Sequence, residues 1–317
     1  MSFVTPEGED GQARMDERGS RIEKFVRSYA PDVFLTDHAP FGLGGELVPM
    51  LTAARQEDWT TRFLWALRDI QFAPQHAASL GRPPANPTLK NAFAAYSGVL
   101  GYTDKDWLDP FEAYRSWLLP PQREYVGVVA RIAPPRLTPE FPTIVCLSGG
   151  GAGAPQLFQL VLAAMRPLMH SNNLRLRFVA GPFGSADQIE VPNEFEEYID
   201  LVAEASTDEA IRDASVVISR AGYNTSYALV QTELPLIFVP LPAPGDEQSY
   251  RAQKLARLLN VSAVDQTDPS VPELLRAALE QALNCEPSSR ELPFRTDGAA
   301  RTADFITALS SADGGTI

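Results

Sequence analysis

The sequence predicts an α/β protein with two domains, and three observations lead to this fold class. The chain has 317 residues, of which 44% are hydrophobic, and this length suits about two domains of roughly 150 residues each. Residues 132–142 include four prolines, which disfavour helix interiors and central strands, so we interpret this stretch as a linker between domains 1–131 and 143–317. After the linker, short apolar runs alternate with amphipathic segments, as a parallel sheet covered by helices requires.

The first domain shows a less regular pattern. The sequence predicts two helices, three strands and one loop there: helices at Gly19–Tyr29 and Leu47–Ala54, strands at Asp32–Thr36, Arg62–Ala66 and Ser97–Tyr102, and a loop between His76 and Pro87.

The second domain alternates regularly between strands and helices. The strands are predicted at Thr143–Leu147, Leu174–Ala180, Asp200–Ala203, Val216–Ile218, Pro235–Pro240 and Val261–Val264. The helices are predicted at Pro155–Met169, Thr207–Asp213, Thr225–Gln231, Glu247–Leu259, Val271–Ala282 and Ala299–Leu309. One apolar face of the first of these helices is expected to pack on the sheet, and Ser206 with Glu209 suits a capping box for the second.

Composition excludes several classes of function. The 40 acidic and 27 basic side chains give a net charge of −13, which argues against nucleic-acid binding and against a polybasic membrane anchor. No apolar run approaches the ~20 residues of a membrane span, and the acidic start lacks the pattern of a signal peptide, so we expect a cytoplasmic protein. Two cysteines and three histidines without ligand spacing predict no metal site and no disulfide framework.

A glycine-rich segment follows the first strand of the second domain. Gly149, Gly150, Gly151, Ala152 and Gly153 precede a predicted helix, so free amide groups and the helix dipole favour a phosphate or diphosphate there. The spacing also fits a dinucleotide fingerprint, but the next strand ends without the acidic residue that a ribose requires. No Lys-Ser/Thr pair follows, which excludes a Walker loop. The alternative is a tight turn without a ligand.

Two further segments follow later strands of the same sheet. Arg220 and Gly222 precede a helix that Asn224 or Thr225 can cap, and Arg220 adds positive charge beside it; the alternative is a surface salt bridge. Asp246, Glu247 and Gln248 start the next helix after a Pro- and Gly-containing loop, and they suit sugar hydroxyls or, alternatively, the helix dipole. The carboxyl ends of parallel strands share one edge, so these segments can face one ligand.

In this order the three segments resemble the nucleotide-sugar-binding domain of family 28 glycosyltransferases, which have the GT-B fold and include the N-acetylglucosaminyl transferase that makes lipid II. The resemblance is carried by the amino-acid sequences of residues 214–225, 234–241 and 246–252, and it extends over residues 143–310. Weaker matches at 31–37, 42–51, 67–69 and 99–104 are similar to the family's acceptor domain. The resemblance implies two Rossmann-like domains, the N-terminal one incomplete, because about thirty polar residues stand where the family has further βα units.

The resemblance also implies roles for individual residues. Gly149–Gly153 and Gly222–Thr225 would hold the donor diphosphate, while Val202 and Ala203 would contact the base and Glu247 and Gln248 the donor sugar. Independently of the resemblance, the reaction needs a base that deprotonates the acceptor, and Asp37 and His38, directly after a strand, are the candidates; the alternative is a structural role for each. Ala228 stands where the family has a ribose-binding glutamate. No metal or resident cofactor is implied.

The sequence therefore predicts a glycosyltransferase that uses a UDP-linked hexose or N-acetylhexosamine and an unknown acceptor. The main alternative is a non-catalytic or split nucleotide-sugar-binding subunit, completed by a partner or by a second copy that covers the exposed sheet edge. A hydrolase or epimerase on the same scaffold is a third alternative. With an incomplete acceptor domain, we expect donor binding but poor transfer by the chain alone.

Overall fold

The computed structural model describes residues 9–131, 136–184, 186–203 and 205–312, and the first part of the expected linker, 132–135, lies outside these ranges. The chain divides into two compact units. The first, here called the four-stranded unit, comprises the described residues of Ser2–Val129 and Pro293–Ile317. The second, here called the six-stranded unit, comprises those of Ala130–Leu292.

Each unit contains one fully parallel sheet. The four-stranded sheet has the order β1-β2-β3-β4, with β1 Val33–Asp37, β2 Arg62–Leu67, β3 Tyr96–Gly101 and β4 Gln122–Tyr125. The six-stranded sheet has the order β10-β9-β8-β5-β6-β7, with β5 Thr143–Leu147, β6 Arg175–Val179, β7 Ile199–Val202, β8 Val216–Ser219, β9 Leu236–Phe238 and β10 Val261–Ala263.

The α-helices precede, connect or follow the strands, and short 3-10 helices take their place between β3 and β4 and between β6 and β7. The α-helices are α1 Glu9–Tyr29, α2 Val48–Gln56, α3 Pro74–Leu80, α4 Pro87–Phe93, α5 Ala154–Asn172, α6 Thr207–Ile211, α7 Tyr223–Leu229, α8 Glu247–Leu255, α9 Val271–Leu283 and α10 Gly298–Ala312. None of the helices within the described ranges is long and apolar enough to cross a membrane.

The core of the six-stranded unit lies between its sheet and the long helix α5. The predicted apolar face of α5 is buried: Leu157, Val161 and Met165 are completely inaccessible to solvent. The Phe158 ring of this face meets the Phe178 ring of β6 edge-on at 5.2 Å. Ser206 and Glu209 form the predicted capping box at the start of α6. The regular alternation in the sequence therefore predicted these elements correctly.

The sequence analysis missed helices α3 and α4 and strand β4 of the four-stranded unit. Helix α3 occupies part of the predicted loop between His76 and Pro87, because its proline lies in the first turn, where no amide hydrogen is needed. Strand β4 has the polar sequence Gln-Arg-Glu-Tyr and lies at the edge of the sheet, where its backbone pairs with β3 while its side chains remain partly exposed. Such a strand has no apolar periodicity to reveal it.

The last helix joins the four-stranded unit rather than the domain 143–317 to which we expected it to belong. Phe305 of α10 packs against Ala66, Leu100 and Val126 of that unit. Just before α10, Arg295 Nε donates a hydrogen bond of 2.7 Å to the Asp104 carboxylate. These contacts join residues that are 179 to 239 positions apart in the chain, and no local pattern predicts them.

Candidate functional site

The glycine segment 149–153 lies at the point where the strand order of the six-stranded sheet reverses. Strand β5 pairs with β6 on one side and with β8 on the other, and the chain returns to this centre after completing β7. Ligands of open α/β sheets bind at the carboxyl ends of the strands at such a reversal. The segments after β5 and β8 therefore flank the expected ligand position.

The backbone of this segment requires glycine at three positions. Gly149, Gly151 and Gly153 have φ angles of 73°, 101° and 67°, which other residues rarely adopt. A Cβ on Gly151 would clash with the Gly184 nitrogen, so one side of the segment packs tightly against a neighbouring turn. A Cβ on Gly149 or Gly150 would meet nothing within 4 Å. The other side of the segment is therefore open space.

The amide groups of the segment are available for an anion. In the part of the chain that the structure describes, no protein acceptor binds the N–H groups of Gly149, Gly150, Gly151, Ala152 or Gly153. The 19-residue helix α5 begins directly afterwards, so the positive end of its dipole lies at the same place. Successive free amides at a helix start form a binding site for phosphate.

Arg220 is buried and forms a hydrogen bond with this segment; it does not lie on the surface. Its side chain is 4% exposed, and Nη2 donates to the Gly153 carbonyl at 3.2 Å. Nη1 donates to the Val239 carbonyl at 3.0 Å and to the Gln266 side-chain oxygen. The guanidinium thus ties together the loops that follow β5, β9 and β10, a role that the sequence did not predict. The alternative prediction of a surface salt bridge is wrong.

The charge of Arg220 has no carboxylate partner. Among the ion pairs of the described residues, no Asp or Glu lies within 4.0 Å of it, and its buried Nε has no hydrogen-bond partner. Burial lowers the pKa of Arg220 to about 10, so the group is still cationic at neutral pH. A buried cation without a carboxylate partner, next to the free amides, adds to the attraction for an anion.

The loop after β8 is built differently from the prediction. Gly222 is the residue that precedes α7, and no side chain caps this helix, so the predicted capping by Asn224 or Thr225 is wrong. Asn224 is exposed and Thr225 half-buried, both in the first turn of α7. A Cβ on Gly222 would meet nothing within 4 Å, so this loop also borders open space.

The predicted sugar-contacting residues at α8 make internal contacts. Asp246 precedes α8 with a φ of 49°, and the Oε1 atom of buried Gln248 accepts a hydrogen bond of 3.1 Å from the Leu241 amide. Glu247 pairs with Arg251, a fully buried residue that donates to the Ala221 carbonyl at 2.6 Å. Sequence reasoning missed Arg251, although the spacing of Glu247 and Arg251 on one helix face signals such a pair.

Val202 and Ala203 lie at the end of β7, the edge strand on the β6 side of the sheet. The Val202 carbonyl accepts a hydrogen bond of 2.9 Å from the Ala180 amide. Ala203 is exposed, so the predicted contact with the base at this edge depends on its backbone groups.

The candidate base residues lie in the four-stranded unit at the end of β1. The Asp37 carboxylate accepts a hydrogen bond of 3.0 Å from Arg68, while the His38 backbone, with a φ of 62°, bonds to Ala66 and to the Trp65 ring nitrogen. Burial and the charge of Asp37 raise the pKa of nearby Tyr102 to about 12. Both residues thus occupy the strand end that the sequence predicted.

Comparison with known sequences gives one family and a set of bacterial relatives. The family model described as the glycosyltransferase family 28 C-terminal domain matches residues 144–302. A Rickettsia felis protein named UDP-N-acetylglucosamine--N-acetylmuramyl-(pentapeptide) pyrophosphoryl-undecaprenol N-acetylglucosamine transferase is 30% identical over 51% of this chain and 48% of its own. A Nocardioides protein of the same name is 35% identical over 37% of this chain and 32% of its own. The chain therefore matches about half or less of these relatives.

Comparison with solved structures covers nearly the whole chain. The glycotransferase of kitacinnamycin has a TM-score of 0.59 at 13% identity, covering 98% of this chain and 81% of that one. Acinetobacter baumannii MurG has a TM-score of 0.54 at 15% identity, covering 94% and 79%. The UDP-GlcNAc 2-epimerase of Methanocaldococcus jannaschii has a TM-score of 0.57 at 12% identity, covering 96% of this chain and 83% of that one. Such low identities establish the fold alone, which is GT-B with two parallel-sheet α/β units.

Proposed function

The chain belongs to glycosyltransferase family 28, and from this premise we propose that it transfers a sugar from a nucleoside diphosphate sugar to an acceptor. The free amides of Gly149–Gly153 at the start of α5 carry the proposal, because they form a site for a diphosphate at the strand-order reversal. The names of the relatives support UDP as the nucleotide and, of the two predicted classes of sugar, the N-acetylhexosamine rather than the hexose.

In the proposed reaction, an acceptor hydroxyl gives its proton to the candidate base, Asp37 or His38, and its oxygen attacks the anomeric carbon of the donor sugar. The bond between this carbon and the β-phosphate oxygen breaks, and its electron pair leaves with the nucleoside diphosphate. Negative charge grows on the leaving group, and the amides of Gly149–Gly153, the dipole of α5 and the cationic Arg220 stabilise it. Gly222, Asn224 and Thr225, at the start of α7, are proposed to contact the same diphosphate from the loop after β8.

The other donor contacts follow from the positions of the loops. Val202 and Ala203 would meet the base through backbone groups at the end of β7. Gln248 uses its side-chain oxygen for Leu241, which leaves its NH₂ group to donate to a sugar hydroxyl. Asp246 and Glu247 start the same helix and are proposed as acceptors for further hydroxyls.

Calorimetric titration with UDP, GDP and TDP tests the donor site. We expect UDP to bind and to bind equally well in excess EDTA, because amides and Arg220 supply the positive charge that a divalent ion would otherwise provide. A folded sample that binds none of the three nucleotides would contradict the proposed function. Binding that EDTA abolishes would contradict the assignment of the diphosphate to these amides.

Substitution of the candidate base tests the acceptor step. We expect Asp37→Asn or His38→Gln to lower kcat by about a hundredfold or more while UDP affinity stays unchanged, because a general base acts on the acceptor and not on the donor. Release of UDP from a UDP-sugar would be measured with any alcohol acceptor that supports turnover. Asp106→Asn, which changes an exposed carboxylate beyond the end of β3, serves as the control. Normal turnover in both variants would exclude both residues as the base.

Restoration of the glutamate at Ala228 tests the position of the ribose. This residue is half-buried on α7, close to the loop that borders the open space. We expect Ala228→Glu to tighten UDP binding by about tenfold, since a charge-assisted hydrogen bond contributes about 1.5–3 kcal/mol. Ala228→Gln controls for side-chain size. A neutral or weakening effect of the glutamate would place the ribose elsewhere.

A second candidate function is a nucleotide-sugar-binding subunit that a partner or second copy completes. It is favoured by an exposed aromatic pair on α1, where Phe25 and Tyr29 are 62% and 69% exposed and their rings stack at 5.5 Å. UDP binding without turnover, together with a mass in solution above that of one chain, would support this candidate over an enzyme that acts alone.

A further inference from the structure

The turn 181–184 presents an exposed aromatic ring beside the glycine segment. Phe183 is 86% exposed, although complete exposure of a large apolar side chain forgoes about 1.5–3 kcal/mol of burial free energy. The turn follows β6, which lies between β5 and β7 in the sheet. Phe183 therefore stands at the same sheet edge as the proposed diphosphate site, one strand further along.

The backbone that carries this ring is fixed to the glycine segment. The Phe183 amide donates to the Gly150 carbonyl at 3.2 Å, and the Gly184 amide donates to the Gly181 carbonyl at 3.0 Å. A Cβ on Gly181 would clash with the Gly149 oxygen, so the two segments are in close contact. The backbone of Phe183 is therefore held in place by contacts with the glycine segment. Because this backbone is already ordered, less conformational entropy is lost when a ligand binds.

The order of the strands places this ring in the path of the nucleoside. In the proposed function, the diphosphate lies at the end of β5 and the base meets Val202 and Ala203 at the end of β7. Neighbouring strands lie about 4.8 Å apart, so these two ends are separated by about 10 Å, with the end of β6 between them. A ligand that reaches from one to the other passes over the turn that carries Phe183.

We propose that Phe183 stacks on the base of the bound nucleotide. This inference rests on the proposed function and adds a residue that recognises the planar base rather than the phosphate or the sugar. Stacking on an aromatic side chain accepts any base, because every base has a π-face, and its loss typically weakens binding by about five- to hundredfold.

The test measures UDP and inorganic pyrophosphate binding by calorimetry for four variants of the full chain. We expect Phe183→Ala and Phe183→Leu to weaken UDP binding by about tenfold, and Phe183→Trp to retain it, because leucine is apolar without a π-face. Pyrophosphate has no base, so its affinity should stay within about twofold of the wild-type value in all variants. Leu259→Ala, which removes an exposed apolar side chain elsewhere in the same unit, should change neither affinity.

The outcomes separate this inference from the proposed function. If wild-type protein binds UDP and Phe183→Ala binds it equally well, the stacking role is wrong and the diphosphate site stands. If Phe183→Ala weakens pyrophosphate as much as UDP, the residue supports the glycine segment and does not contact the base, which also overturns the inference. A wild-type chain that binds neither ligand would overturn both proposals. Thermal unfolding should be unchanged in each variant, since the ring is exposed.

Discussion

Substitution of Gly150 by valine is expected to abolish UDP binding while the protein stays folded. Gly150 lies outside the positive-φ region, and a Cβ there meets no protein atom within 4 Å, so the fold tolerates a side chain. The same side chain would occupy the space above the free amides. If the diphosphate loses two charge-assisted hydrogen bonds, each of about 1.5–3 kcal/mol, UDP affinity falls by more than about a hundredfold. Calorimetry and thermal unfolding measure the two effects.

Gly151 provides the matched control for this prediction. Because its φ is 101° and an added Cβ would clash with the Gly184 nitrogen, Gly151→Ala should lower the free energy of unfolding. Gly150→Val is thus expected to lose UDP binding but not stability, whereas Gly151→Ala is expected to lose stability. Wild-type UDP affinity in Gly150→Val would show that the diphosphate does not lie over this segment.

Replacement of Arg220 by alanine is expected to weaken both folding and UDP binding. The buried carbonyl of Val239 and the partly buried carbonyl of Gly153 would lose their donor. An unsatisfied buried group costs about 1–3 kcal/mol, so the free energy of unfolding falls by about 1–3 kcal/mol or more. The glycine segment would lose its support and the site its buried cation. We therefore expect UDP affinity to fall by about tenfold to a hundredfold, measured under conditions in which the variant is folded.

Arg290 offers a control of the same kind in the same unit. It is a half-buried arginine whose pKa burial also lowers to about 10, and its guanidinium donates to the carbonyls of Thr232, Leu234 and Asn260, away from the glycine segment. Arg290→Ala should therefore destabilise the fold without a comparable loss of UDP affinity. An equal loss of UDP affinity in both variants would show that Arg220 has only a structural role.

The contrast between these residues shows what the sequence could predict. The glycine segment was predictable because its signals are local: a strand, a run of small residues and a helix start follow one another. The partners of Arg220 were not, since Gly153 and Gln266 lie 67 and 46 residues away in the chain. The sequence therefore predicted the strand, the glycine turn and the helix start of the candidate site. For Arg220 it expected a direct phosphate contact or a surface ion pair, whereas in the structure this residue joins three loops.

The same distinction holds for the fold. Strands buried on both faces, such as β5 and β8, produce continuous apolar runs that predict them well. Strand β4 is an edge strand and gives no such run. The assignment of α10 to the four-stranded unit depends on contacts with Ala66 and Leu100, far away in the chain, which only the folded structure reveals.

Glycine-selective ¹⁵N labelling tests the central claim most directly, because the chain has 21 glycines and the proposed diphosphate contacts are glycine amides. Addition of UDP should shift the amide signals of Gly149, Gly150, Gly151 and Gly153, assigned by single substitutions, while those of Gly45 and Gly98 in the four-stranded unit serve as references. Inorganic pyrophosphate should shift the same signals. If UDP binds by calorimetry and these four signals do not move, the diphosphate lies elsewhere and the account of the site is wrong.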